Sequence, residues 1–368
     1  MRIGIVTFHR ADNYGAVLQN FALISALNRM GHEAYTIDYR CLCVEKNYQI
    51  RQRPKVSLKR PRSFLAAVKY PFSIQVEKAR KGRFDAFRKE RIPLTQSYTE
   101  EELLEYPPEF DAYIAGSDQI WNGMIVGGHN PIYTLEFAPK GKKIAYGASA
   151  GNSSLIPQES YAAIGGIDYI LVRELELKHM IEQKIGKNAT LCLDPVFLLS
   201  RNEWMSMIQD RECPRQIFLY RVGRGTQGVI DIAHEYARKN GGKIVYPMAF
   251  DMKIGISADC RFTAGPIEFL QLIRESEIVI ASSFHAVAFS IIFEKQFIAL
   301  PQKDTNSRIK DLLKMLGLEN RMYESYEDYL KKGQHLREID YDSIRSIITT
   351  EMENSRCLLE ETLKHISC

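Results

Sequence analysis

The stretches RIGIVTF at 2–8, DNYGAVLQNFALISALNRMG at 12–31 and HEAYTIDY at 32–39 decide the fold. Arg2–Phe8 is a short apolar run suited to a buried parallel strand. From Gly15 to Met30 apolar residues recur at helical spacing (Val17, Leu18, Phe21, Ala22, Ile24, Leu27), and Gly31 stands where a helix C-cap belongs. His32–Tyr39 supplies a second strand, which makes a βαβ unit. Its first strand-to-helix crossing is Asp12-Asn13-Tyr14-Gly15, with Asn13 suited to cap the helix. The crossing lacks the GxGxxG fingerprint, and the chain holds no Walker A sequence. Nicotinamide and P-loop nucleotide chemistry are therefore disfavoured.

The same rhythm continues outward. Further strands are expected at Phe110–Ala115, Lys143–Gly147, Tyr169–Val172 and Thr190–Leu193. A second series follows at Gln216–Val222, Lys243–Pro247, Glu277–Ala281 and Gln296–Leu300. Helices are expected near Thr226–Lys239, Pro266–Arg274 and Ala286–Glu294, with a helical tail from Tyr341 to Cys368. This is an α/β chain of two Rossmann-like domains facing across a cleft. The expected boundaries are 1–198, 199–345 and a terminal helix 346–368.

At 368 residues, two domains are the natural division, and 45% hydrophobic with 26% charged residues is a globular composition. The seven cysteines have no framework or metal-site spacing, so free thiols and no structural metal are expected. The N-terminus has no signal-peptide pattern and no apolar run approaches a membrane span, which predicts a cytoplasmic protein. Charge is uneven. Between Arg51 and Arg91 fourteen Lys/Arg face three acids, a net +11 in a chain whose total is +4. Pro54, Pro61 and Pro71 are expected to interrupt any long helix there. Such a segment calls for an anionic partner. Nucleic acid, lipid head groups or a pyrophosphate-linked substrate would each answer it.

Open α/β sheets place ligands at the carboxyl edges of their strands. Ser282-Ser283-Phe284-His285 lies between a strand and a nearly all-apolar helix. Its free N–H groups and hydroxyls offer an anion site, and His285 can donate to an anion or move a proton. Gly116-Ser117-Asp118-Gln119-Ile120-Trp121-Asn122 pairs a carboxylate with an indole face, a common way to hold a sugar. Arg173, Arg221 and Arg308 stand at expected sheet edges, where a guanidinium grips carboxylate or phosphate bidentately.

Taken together, these segments resemble the polysaccharide pyruvyl transferase family. The resemblance runs in order through Asn13-Tyr14-Gly15-Ala16-Val17-Leu18-Gln19, the Gly116–Asn122 segment, Val172-Arg173-Glu174, Asp194-Pro195-Val196-Phe197, Ser283-Phe284-His285-Ala286 and Ser307-Arg308. Relatives carry Arg-Leu-His where this chain has Ser283-Phe284-His285, so a guanidinium must come from elsewhere. The resemblance implies a fold similar to GT-B glycosyltransferases. It also implies transfer of a pyruvyl group from phosphoenolpyruvate to two hydroxyls of a hexose, galactose among the candidates, giving a cyclic ketal. The donor would be a co-substrate, with no further cofactor. The basic Arg51–Arg91 segment would then serve an acceptor carried on a lipid pyrophosphate, or an anionic membrane surface, and not nucleic acid. His285 and Arg173 would be catalytic, and Ser282, Ser283, Arg308 and Arg221 would bind donor. Asn13, Tyr14, Gly15, Gln19, Gly116, Ser117, Asp118 and Trp121 would face the acceptor. A nucleotide-sugar glycosyltransferase and a non-catalytic sugar-binding protein of envelope assembly are the alternatives.

Overall fold

The computed structural model describes residues 1–50, 61–211, 213, 215–223, 227–247, 259–302, 307–333 and 337–367, without the side chains of 61–70, 72, 73 and 367. Seven parallel strands form the first sheet: β1 (Arg2–Val6), β2 (Glu33–Tyr39), β3 (Leu94–Tyr98), β4 (Ala112–Ala115), β5 (Lys143–Ala148), β6 (Tyr169–Val172) and β7 (Thr190–Leu191). Their order is β3-β2-β1-β4-β5-β6-β7. The second sheet contains β8 (Gln216–Tyr220), β9 (Lys243–Tyr246), β10 (Asp259–Cys260), β11 (Ile278–Ala281) and β12 (Gln296–Ala299), in the order β10-β9-β8-β11-β12. Every pairing in both sheets is parallel. In each sheet the first strand in sequence separates earlier from later neighbours. The topological switch points therefore fall between β1 and β4 and between β8 and β11.

The sequence expectation of two α/β units is met, with small shifts at element ends. The first helix spans Tyr14–Arg29, capped by the Asn13 side chain, and Gly31 takes φ +83 just beyond it. The apolar helix of the second unit spans Phe284–Ile292, and all nine residues are buried. One expectation fails. Pro61–Arg91 is a single helix that begins at Pro61 and continues through Pro71, so Pro71 does not break it. Its C-terminal turns are held by Phe84 and Phe87 in the core and by buried Arg88, which bonds Asp12 at 2.7 Å. These anchors outweigh the one backbone bond that Pro71 removes. The N-terminal part of the expected basic segment, residues 51–60, lies outside the described residues.

The two sheets share a core. A single buried cluster runs from Ile3 and Tyr14 through Trp204 to Phe269, Phe289 and Leu363. Trp204, on the connecting helix Arg201–Met205, packs edge-on to Phe289 at 4.9 Å and touches Phe21 at 5.8 Å. Tyr14 stacks on Phe269 at 4.4 Å. The terminal helix Tyr341–Ser367 starts in the second unit and returns to the first, where Arg356 donates to the Leu198 carbonyl at 3.0 Å. Aromatic burial across the boundary fixes how the strand edges face one another. No described helix is long and apolar enough to cross a membrane.

Candidate active site

Four strands of the first sheet end in polar residues that converge. Ser117 and Asp118 follow β4, Ser149 follows β5, Arg173 and Glu174 follow β6, and Asp194 follows β7. Two helix N-termini of the second unit meet them, carrying His285 and Arg308 (helix Ser307–Met315). Asp194 is the hub. Its Oδ2 accepts from the Arg173 guanidinium and from the Ser117 hydroxyl at 3.0 Å, and lies 3.6 Å from His285 Nε2. Its Oδ1 accepts from the Val196 amide at 3.0 Å. Burial opposes the Asp194 charge, but Arg173 and then His285 outweigh it and hold the carboxyl well below the usual range. Glu174 goes the other way. Burial raises it against the pull of Arg173 and Arg308, although Ser149 donates to its Oε1.

The arginines are buried and incompletely used. Arg173 and Arg308 lie over the Phe284 ring at 5.3 and 5.7 Å, a cation–π arrangement that needs no acceptor. Arg173 Nε and Nη2, Arg308 Nε, and His285 Nε2 are buried without a hydrogen-bond partner. Burial and the neighbouring Arg173 charge both weigh against the charge on Arg308. Orphaned donors at a strand edge have an electrostatic deficit that an anion would fill. A cavity of about 250 Å³ opens on Arg173, Arg308, Phe284 and Asp311. Cys192 also lines it, and burial pushes that thiol up to about 12, so it is not a nucleophile at neutral pH.

Gly15 accounts for the placement of His285. A Cβ there would meet His285 Nδ1 at 2.0 Å, so only glycine lets the first helix sit against the imidazole. On the other side of that helix start, a larger cleft of about 450 Å³ separates the two units. Its walls include Asn13 and Tyr48 from the first unit, Arg80 and Lys81 from the basic helix, and Arg221 and Tyr246 from the second.

Several expected contacts change place. Trp121 is 2% exposed and spends its indole N–H on the Tyr133 carbonyl, so it offers no face to a sugar. Tyr14 is fully buried, and its hydroxyl reaches the carbonyls of Pro247 and Ala264 at 3.0 and 2.8 Å. It ties the units together rather than facing the cleft. Gln19 is buried and donates to Thr7 and Ala16. Ser282 Oγ accepts from the Val222 amide at 2.9 Å, closing the second switch point on itself. Ser283 caps the apolar helix by position, without a side-chain bond. A Cβ on Gly116 would crowd Ile5 and Thr7 at 3.2 and 3.3 Å, which makes it a packing residue. Arg221 lies in the large cleft beside Tyr246, whose hydroxyl burial raises against the pull of Arg221, and does not line the small cavity with Arg173 and Arg308. The sequence reading missed Tyr48, Arg80 and Lys81 as cleft residues, and Asp194 as the hub. Only Asp194 carried a signal, as the polar end of a strand. Among the described residues, no group of three His, Cys, Asp or Glu could hold a metal ion.

Two Rossmann-like units with a polar cluster across their facing strand edges define a GT-B-type α/β protein. The UDP complex of MnaA from S. aureus is similar, with a TM-score of 0.51 and 12% identity, covering 100% of this chain and 98% of that one. A mutant O-GlcNAc transferase from Thermobaculum terrenum has a TM-score of 0.52 and 11% identity, covering 99% of this chain and 66% of that one. At such identities the likeness is one of fold. No curated protein matches the chain. Residues 13–304 match the polysaccharide pyruvyl transferase family, and the chain belongs to it. It is accordingly a transferase of polysaccharide pyruvylation in the broad sense of that family.

Proposed function

We propose that the chain transfers a pyruvyl group from phosphoenolpyruvate to two hydroxyls of a hexose, forming a cyclic ketal. The observation that carries this reading is the set of buried, unpartnered N–H donors of Arg173 and Arg308 beside the unpartnered His285 Nε2. A small trianion with carboxylate and phosphate ends suits two guanidiniums. His285 then protonates the methylene carbon of the donor while a sugar oxygen bonds to the adjacent carbon. The bond from that carbon to the phosphate oxygen breaks with its electron pair on phosphate, and the second hydroxyl closes the ring. Two hydroxyl protons are released: one balances the proton placed on the methylene carbon, the other leaves on phosphate. Arg173 and Arg308 stabilise the charge gathering on phosphate in a site where water is scarce. Asp194, 3.6 Å from Nε2, orients the imidazole and pairs with its protonated form.

The large cleft receives the acceptor in this reading. Arg80 and Lys81 on its wall suit a hexose carried on a lipid pyrophosphate at the inner membrane face. The test is phosphate release from phosphoenolpyruvate without acceptor, with a methyl galactoside and with a lipid-diphosphate-linked hexose. Release that requires an acceptor, faster with the lipid-linked one, is expected. No release with any hexose acceptor overturns the reading. His285→Ala should lower turnover about 10²–10⁴-fold with the fold intact.

A further inference from the structure

The small cavity is assembled from both units, and its two guanidiniums repel each other. Arg173 follows β6 of the first unit, whereas Arg308 stands on the helix Ser307–Met315 of the second. Both are buried, and both lie over the Phe284 ring, at 5.3 and 5.7 Å. Like charges push apart more strongly in such a dry place than in water. Glu174 lies 3.8 Å from Arg308 Nε, too far for a hydrogen bond, and burial weighs against its charge. The spacing of the two arginines therefore depends on what ties the second unit's helix to the end of β6.

Two hydrogen bonds tie it there. The Ser307 hydroxyl donates to the Gly151 carbonyl at 3.2 Å, and the Asp311 carboxylate accepts the Leu175 amide at 2.9 Å. The second is the shorter, and its acceptor is a carboxylate. Asp311 stands one turn after Arg308, so the two leave the same face of the helix. Leu175 comes two residues after Arg173 and opens the helix Leu175–Met180, where Glu174 makes no side-chain cap bond. That first amide is one its own helix cannot satisfy. Asp311 satisfies it from the other unit. Asp311 also lines the small cavity, where its charge works against an anionic donor. Attraction for the donor thus does not account for a carboxylate at this position; the bond to Leu175 does.

We infer that Asp311 is a positioning residue, which clamps the helix of Arg308 onto the end of β6. The clamp sets the separation at which the two guanidiniums receive the donor. The inference rests on the ketal reading above for the identity of that donor. Asp311 itself makes and breaks no covalent bond and moves no proton.

Three variants test the clamp from both of its ends. Asp311→Ala removes the acceptor, and Asp311→Asn keeps a side-chain oxygen for the amide while removing the charge. Leu175→Pro removes the donating N–H at a first helical position, where proline is well tolerated and the extended Glu174 backbone suits it. Calorimetric binding of phosphoenolpyruvate is measured beside denaturant unfolding and acceptor-dependent phosphate release. Asp311→Ala and Leu175→Pro should each weaken donor binding about tenfold, and the double variant should be no weaker than either alone. Asp311→Asn should bind the donor at least as tightly as the unaltered chain and keep its turnover. Unchanged donor affinity in Asp311→Ala overturns the clamp, whether or not unfolding shifts, because a merely structural bond moves unfolding alone. Lost turnover in Asp311→Asn with donor affinity kept also overturns it, in favour of a proton-accepting role. A chain that binds phosphoenolpyruvate in the expected pattern but releases no phosphate with any hexose supports the clamp and overturns the ketal reading. An unaltered chain that does not bind phosphoenolpyruvate overturns both.

Discussion

The helix that walls the open cleft and the buried cluster behind the cleft use the same residue types for opposite ends. On the helix, Arg83 meets Glu268 at 2.7 Å with both side chains nearly half exposed. In the cluster, Arg173 meets Asp194 with 2% and 0% of the side chains exposed. Water and salt screen the first pair, which is worth about 0–1 kcal/mol. The second is unscreened, and each partner holds the other's charge in place against burial. The difference teaches where specificity and catalysis divide. A wet wall can guide a charged acceptor and let it go, whereas a dry cluster holds fixed charges that need no reorganisation when phosphate leaves.

The strongest way to break this contrast is Arg173→Met. Methionine fills much of the space, so the effect comes from leaving the buried Asp194 charge without its guanidinium, with only His285 still near it. A loss of about 3–5 kcal/mol in denaturant unfolding is expected. Acceptor-dependent phosphate release should vanish. Adding Asp194→Asn should restore much of the stability and none of the turnover. Because Asp194 is held low in the folded state, its stabilisation is complete above the unfolded carboxylate value of about 3.9 and is lost as pH falls through the folded value. Without Arg173 that acid limb should move to higher pH. An unfolding free energy unchanged in Arg173→Met would show that the pair is not the support described here.

Tyr14→Phe sharpens the comparison at the boundary between the units. The Tyr14 hydroxyl is shared by the Pro247 and Ala264 carbonyls, and its removal leaves both buried acceptors short of a donor. A destabilisation of about 1–3 kcal/mol is expected. The KM for acceptor should stay constant, since the ring faces Phe269 and Phe84 rather than the cleft. A raised acceptor KM with full stability would return Tyr14 to the binding surface.

These variants also mark what could be read from the residues. The βα alternation was legible because parallel strands buried on both faces are short apolar runs: β4 and β11 are buried at every position. β3 was missed because it is an edge strand with one buried residue in five, and β10 because it is two residues long. At the site, Arg173 and His285 were legible because each follows a strand whose end is fixed by its neighbours. Trp121 misled because a turn followed by an aromatic has the same sequence whether the ring faces outward or, as here, toward the Tyr133 backbone. Tyr48 ends a three-residue 3-10 helix, too short to leave a periodic pattern, and Arg80 and Lys81 sit in a run of cations whose individual directions periodicity does not give. Which arginine faces the cleft is decided by tertiary packing of the basic helix, and local sequence does not contain it.

The smallest expected effect is at the exposed pair, and its salt dependence is the more informative quantity. Arg83→Ala removes the link from the basic helix to Glu268, which also caps its own helix by accepting the Gly265 amide at 2.9 Å. That cap survives the substitution, so the cost should be at most about 1 kcal/mol in low salt. Raising ionic strength toward 1 M, where the Debye length shrinks to about 3 Å, should erase the difference between Arg83→Ala and the unaltered chain. The Arg173→Met difference should persist under the same titration. Equal salt sensitivity in the two variants would mean that the cluster is as wet as the helix surface. Its fixed charges would then lose the unscreened setting on which the transfer chemistry depends.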